Sequence, residues 1–184
     1  MAGTPRGAND PGRRDRILQA ALTVIADHGV HATTHRRIAA EADVPLGSLT
    51  YYFDDLPTIL REAFGWIAAR MSEEYQAAME AAPDHAAAAE AVADQICGTD
   101  YADRRRLVLL YEMYSYAHHD EAVARITRDA LHRSHASLAL HFPPAACRAI
   151  DALNEGWAIH RSFDPDGIRR DEVVATILAV AERF

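Results

Sequence analysis

The sequence predicts an all-α protein, and three observations carry that prediction. Apolar residues recur at three- and four-residue spacing along most of the chain, as in Ile59, Leu60, Ala63, Phe64, Ile67 and Met71. Alanine is abundant while glycine is scarce, at nine in 184 residues, a balance that favours helices able to approach closely. No segment reads as a convincing strand or internal repeat. Hydrophobic residues make up 49% of the chain, enough for a sizeable core, so wholesale disorder is excluded.

Residues 1–12 hold Gly, Pro and Asn without periodicity and read as a disordered arm. Arg13, Arg14 and Arg16 then open a first helix, where positive charge opposes the helix dipole. A nucleic-acid phosphate or minor groove would account for them; so would a solvated basic end. The helix spans about 12–28, buries Ile17, Ala21, Val24 and Ile25, and stops at Gly29.

The stretch 34–53 reads as two short helices around a tight turn. Thr34 is a good N-cap, and Ile38, Ala39 and Ala42 are apolar at helical spacing, as are Leu49 and Phe53. Asp43 falls where the chain must turn sharply, and Asp tolerates left-handed backbone better than most residues. Pro45 suits the first turn of the next helix, which runs to Tyr52. This is a helix-turn-helix layout. At ~1.5 Å per residue the second helix is about 12 Å long, and a DNA major groove is about 12 Å wide. Its outward residues Leu46, Ser48, Thr50, Tyr51 and Tyr52 suit base edges, thymine methyls and phosphates. A small helical hairpin with a hydroxyl-rich surface would look similar.

Asp54-Asp55 and Pro57 then start a long helix over 56–81, which Pro83 ends. Further helices are predicted over 84–97, 104–118, 121–141, 145–163 and 169–184, separated by Gly98, Pro143-Pro144 and the loop 164–167. The last two carry apolar stripes, Ala146, Ile150, Leu153, Trp157 and His160, then Val173, Ile177, Val180 and Phe184. Two such hairpins could join across a two-fold axis as a four-helix bundle, or the stripes could be buried within one chain.

The net charge is −8, but residues 1–50 carry +1 and residues 51–184 carry −9, so the acid belongs to the body. There is no lysine, so every fixed cationic contact falls to arginine, whose planar fork suits phosphates. No run reaches the ~20 apolar residues of a membrane span, and the first fifteen residues have no secretory core, so a cytoplasmic protein is expected. Cys97 and Cys147 read as free thiols. His118, His119, His132 and His135 suggest a metal-responsive alternative, but surface histidines explain them as well, and no Glu-x-x-His occurs. No Gly-rich phosphate loop, Gly-x-Ser-x-Gly or His-Glu-x-x-His is present, which disfavours an enzyme and leaves no catalytic residue to name. An adaptor of interaction helices is a further alternative.

Between Arg16 and Leu60 the chain carries ILQAAL at 17–22, His28-Gly29, ATT at 32–34, Arg36, IAAEADV at 38–44 and GSLTYYF at 47–53. In this order and spacing it resembles the DNA-binding domain of the tetracycline-repressor (TetR) family. Three departures stand out. The family usually has Gly at Asp43, polar or basic residues at Pro45 and Leu46, and often Lys where Asp54, Asp55 and Leu56 stand.

The resemblance implies a homodimeric, ligand-responsive regulator, most simply a repressor, that binds a palindromic DNA operator and is released by a small, partly apolar effector. It implies a helix-turn-helix domain over 13–55 and a helical effector-binding and dimerisation domain over 56–184. Thr34, Arg36, Tyr51 and Tyr52 would hold phosphates, with His35 near the backbone. Pro45, Leu46, Ser48 and Thr50 would approach bases, and Gly47 belongs to the same motif. The effector pocket would draw on Trp66, Tyr75, Tyr111, Tyr114, Ser115 and His118. The dimer interface would use Ile150, Leu153, Trp157, Val173, Ile177 and Val180. No cofactor or metal is expected.

Overall fold

The computed structural model describes residues 12–98, 104–164 and 166–184. Among them the chain forms nine α-helices and one 3₁₀ turn, with no strand. Contacts between Cα atoms divide it into two units, Met1–Ala63 and Phe64–Phe184. The sequence boundary at 55–56 is where the long helix starts; the units divide within that helix. The arm expected at 1–12 lies, apart from Gly12, outside the described residues.

In the first unit α1 (Arg13–His28) buries Ile17, Leu18, Ala21, Leu22, Val24 and Ile25. Gly29 ends it with φ 76°, a left-handed value that favours glycine, and its N–H donates to the Ile25 carbonyl at 2.8 Å. A 3₁₀ turn at Val30–Ala32 leads to Thr33, whose buried hydroxyl donates to the Gly29 carbonyl at 2.9 Å. Thr34 caps α2 (His35–Glu41) by accepting the Arg37 N–H at 3.3 Å.

The end of α2 fixes the angle of the next helix. The Val44 N–H reaches the Ala39 carbonyl at 3.0 Å and the Asp43 N–H reaches the Ala40 carbonyl at 3.3 Å. Asp43 itself sits at φ 50°. These are the two bonds and the left-handed residue of a Schellman motif. Pro45 is the residue before α3 (Leu46–Tyr52) rather than its first, and leads in with an extended ψ of 142°. Leu49 and Phe53 pin α3 to the core, at 0% and 3% exposure. Asp55 then caps α4 (Leu56–Ala81), accepting the Thr58 N–H at 2.8 Å and its hydroxyl at 2.6 Å.

The second unit contains the rest of α4 and five more helices. These are α5 (His85–Cys97), α6 (Arg104–Ala117), α7 (Glu121–Leu138), α8 (Pro144–Phe163) and α9 (Arg170–Arg183). Asp84 caps α5 and Asp120 caps α7, each through its carboxylate. The predicted 121–141 helix stops at Leu138, because a turn there carries Phe142 into the core, where it is 4% exposed. Ala88, Ala89 and Ala93 of α5 are buried, and these small side chains let α8 and α9 pack closely on it. Arg170 fastens α9 to α5 through Asp94 and Glu90. Both cysteines are free, with Cys147 buried.

The expectation that Ile150, Val173 and Ile177 face a partner subunit is not met. They are 0%, 1% and 0% exposed within one chain. They fill its own core with Val92, Ile96 and Leu138, which is the intrachain burial that the stripe also allows.

Candidate functional site

The first unit presents α3 outward. Pinned by Leu49 and Phe53, it leaves Pro45, Gly47 and Thr50 exposed, with Leu46 at 46% and Tyr51 at 75% exposure. Ser48 and Tyr52 are half-buried. The Tyr51 and Tyr52 rings meet edge to face with centroids 4.9 Å apart, which restrains both. The Thr50 hydroxyl donates to the Gly47 carbonyl at 3.2 Å, leaving its lone pairs as acceptors for a base donor. A Cβ added at Gly47 would meet nothing within 4 Å. At the start of α2, Thr34 and Arg36 are exposed and His35 is half-buried. Arg36 makes no ion pair among the described residues, so its fork is available to a phosphate.

Two neighbouring arginines have internal roles. Arg37 donates to the Ala32 carbonyl at 2.9 Å, holding the loop before α2. Arg14 pairs with Glu62 and lies 5.1 Å from the centre of the Phe53 ring. That contact answers why a cation stands against the α1 dipole.

The second unit contains a half-open cavity of about 330 Å³, at the lower end of the ~300–1,000 Å³ typical of small-molecule sites. Its walls come from α4, α5, α6, α7 and α8, and are mainly apolar, with Met71, Leu107, Leu110, Met113 and Leu131 prominent. Two carboxylates one helical turn apart on α8 break that surface. Glu155 accepts a hydrogen bond from the Tyr114 hydroxyl at 2.7 Å. Asp151 accepts one from Ser134 at 2.5 Å and lies 3.2 Å from His135 Nε2. Burial pushes the Glu155 carboxyl above its ordinary range; the Tyr114 hydrogen bond opposes this and the Asp151 charge adds to it. Burial and the Glu155 charge likewise raise the Tyr114 and Tyr111 phenols.

Of the six residues that the sequence proposed for a pocket, Tyr75 and Tyr114 line this cavity. Trp66 does not: the Arg70 guanidinium covers its ring at 5.6 Å. Tyr111 lies beside Glu155 but off the wall. Ser115 is exposed, since one residue beyond Tyr114 turns it about 100° away around the helix. His118 lies beyond the end of α6 and is exposed. Asp151 and Glu155 were missed, although acids at i and i+4 beside the Ile150–Leu153–Trp157 stripe were visible in the sequence.

Among the described residues no three His, Cys, Asp or Glu side chains group as a metal site. His118, His119 and His132 are exposed, and His135 is engaged with Asp151. Leu153, Trp157 and Val180 are half-buried, and Ile159, Phe163 and Phe184 leave apolar surface at the ends of α8 and α9. No described helix is long and apolar enough to cross a membrane.

A braced helix-turn-helix with an exposed second helix is the mark of a DNA-binding transcriptional regulator. The sequence profile of the bacterial regulatory proteins of the tetR family matches residues 17–62. The candidate transcriptional regulator SCO7518 from Streptomyces coelicolor A3(2) is 38% identical, and the match covers 93% of this chain and 99% of that one at a TM-score of 0.83. The multidrug binding protein EbrR, solved with imidazole, is 26% identical over 94% of this chain and 96% of its own at a TM-score of 0.73; it has also been solved with ethidium. The transcriptional repressor KstR2 from Mycolicibacterium smegmatis is 38% identical over 65 residues, 33% of this chain and 32% of its own. The chain belongs to the TetR family of transcriptional regulators.

Proposed function

We propose that the protein is a ligand-responsive repressor that binds a palindromic operator as a homodimer and lets go when a small, partly apolar molecule occupies the α4–α8 cavity. The observation that carries this reading is a cavity of about 330 Å³ with apolar walls and a few convergent polar groups, in a chain that also exposes the second helix of a helix-turn-helix. EbrR binding imidazole and ethidium, and KstR2 acting as a repressor, support it. In this reading Thr34, His35, Arg36, Tyr51 and Tyr52 hold the DNA backbone, while Pro45, Leu46, Ser48 and Thr50 face bases. Leu46, apolar and exposed, meets a thymine methyl. The exposed ends of α8 and α9, with Leu153, Trp157 and Val180, join the two subunits.

Control runs through α4. Met71 and Tyr75 line the cavity, and the first turns of the same helix carry the buried Ile59 and Leu60. A ligand that displaces α4 acts on the helix that also carries Ile59 and Leu60. The effector must bind the DNA-incompetent state more tightly, or nothing shifts. Selecting bound fragments from random duplex DNA tests the reading. Enriched palindromes with half-site centres about 34–36 Å apart are expected. A chain that enriches no sequence, or that stays monomeric at micromolar concentration in sedimentation, overturns it.

A further inference from the structure

We infer that Arg14 is a positioning residue for DNA binding: its guanidinium clasps the end of α3 to α1 and α4, and so fixes how the exposed helix is held, rather than meeting a phosphate itself. Three elements converge on it. Arg14 stands in the first turn of α1, ion-pairs with Glu62 near the start of α4, and lies over the Phe53 ring, 5.1 Å from its centroid. All three residues belong to the first unit.

Phe53 is where this grip reaches α3. Its backbone N–H closes the helix on the Leu49 carbonyl at 2.8 Å, and the residue is 3% exposed. With seven residues α3 has about two turns, and Leu49 and Phe53 are the anchors that hold it inward. Tyr51 and Tyr52 immediately precede the anchor that Arg14 covers. The ring face attracts the cation, and Glu62 holds the guanidinium from α4. A guanidinium at the start of α1 opposes the dipole of its own helix, and these two contacts offset that cost. The pair is partly exposed, and exposed ion pairs add little to global stability. What it governs is the direction of a short helix, not the melting of the whole chain.

A phosphate-binding Arg14 and a positioning Arg14 predict opposite results at Glu62. In the first case Glu62→Gln removes a competing acid and tightens DNA binding. In the second it loosens the clasp and weakens binding, although the chain has become less negative.

Gel shifts across a salt series, on duplexes that the parent protein selects from random DNA, read the difference. Arg14→Gln is expected to lose about five-fold in affinity and Glu62→Gln about three-fold, and the double variant no more than Arg14→Gln, because the two changes remove one shared interaction. The slope of log affinity on log salt is expected to stay at the parent value, and the melting temperature within about 2 °C of it. Hydrogen exchange followed by NMR gives a readout without DNA: the Phe53 amide is expected to exchange about three-fold faster in both single variants. Tighter binding by Glu62→Gln, or a salt slope flatter by about 0.9 in Arg14→Gln, places Arg14 on a phosphate and overturns the inference. An affinity loss matched by a collapse in melting temperature, or unchanged affinity with unchanged exchange at Phe53, overturns it as well. A parent protein that selects no DNA defeats the proposed operator binding alone. Exchange at Phe53 then decides by itself, faster exchange supporting the clasp and unchanged exchange removing it.

Discussion

Asp43 closes α2 at φ 50°, a position where the Schellman motif ordinarily places glycine. Left-handed backbone costs an L-residue about 1–2 kcal/mol, and Asp less, because its short polar side chain tolerates the region. The Asp43 side chain is exposed and makes no hydrogen bond among the described residues, so replacing it breaks no interaction. Asp43→Ala therefore isolates the backbone effect, with an expected destabilisation of about 1 kcal/mol. At roughly 2–4 °C per kcal/mol for a chain of this size, the melting temperature falls by about 2–4 °C. Asp43→Val loses more, because a β-branched residue is a genuine outlier at this φ. Asp43→Gly relieves the strain but frees the unfolded chain by about 0.4–1 kcal/mol, so it stays within about 0.5 kcal/mol of the parent. Thermal and urea unfolding followed by circular dichroism give the order, and hydrogen exchange at the amides of 35–53 shows whether the effect is local. If Ala and Val melt with the parent, Asp43 is not left-handed and the account of how α3 is aimed fails.

Further expectations follow from the reader and the cavity. Arg36→Ala should flatten the dependence of log affinity on log salt by about 0.9 for each phosphate that the side chain no longer neutralises; an unchanged slope in a salt titration takes Arg36 off the backbone. Leu46→Gln should abolish a thymine preference at one position of each half-site, and Thr50→Ala should change a different position; uniform weakening across all sites in a repeated selection removes them from base reading. Glu155 has a folded pKa above its ordinary value of 4.5, so in the interval above 4.5 the folded chain binds more protons than the unfolded one and stability falls as pH rises. Glu155→Gln lacks that decline, so melting curves across a pH series should show the variant gaining on the parent as pH climbs past 4.5. A pH-independent difference would mean that burial does not perturb the carboxyl.

Helix existence and most boundaries were legible because caps and breakers agree with periodicity. Thr34, Asp55, Asp84 and Asp120 all cap where their types suggest, and Gly29 stops α1 with a positive φ. The outward face of α3 was legible too, since its geometry is local: Leu49 and Phe53 face inward, which leaves the intervening residues outward. The cavity was not. It gathers residues from five helices as far apart as Ala68 and Ser162, and spacing along one helix does not tell a cavity wall from a core face. The same ambiguity misplaced Ile150, Val173 and Ile177, because an apolar stripe is blind to whether its cover comes from the same chain or another. Asp151 and Glu155 were overlooked because acids on a helix usually face water; only the tertiary packing turns these two inward.

Gly47 stands second in α3, and neither a positive φ nor a crowded neighbour requires glycine there. Inside this protein, alanine would fit and would hold the helical turn more firmly. If α3 meets DNA as proposed, the bare peptide plane leaves clearance for a sugar–phosphate edge to come flush with the main chain. Sturdiness and grip are thus set against each other at one methyl group. On that reading, a screen that rewards heat resistance alone would fill that gap and return a tougher molecule with a weaker hold on DNA.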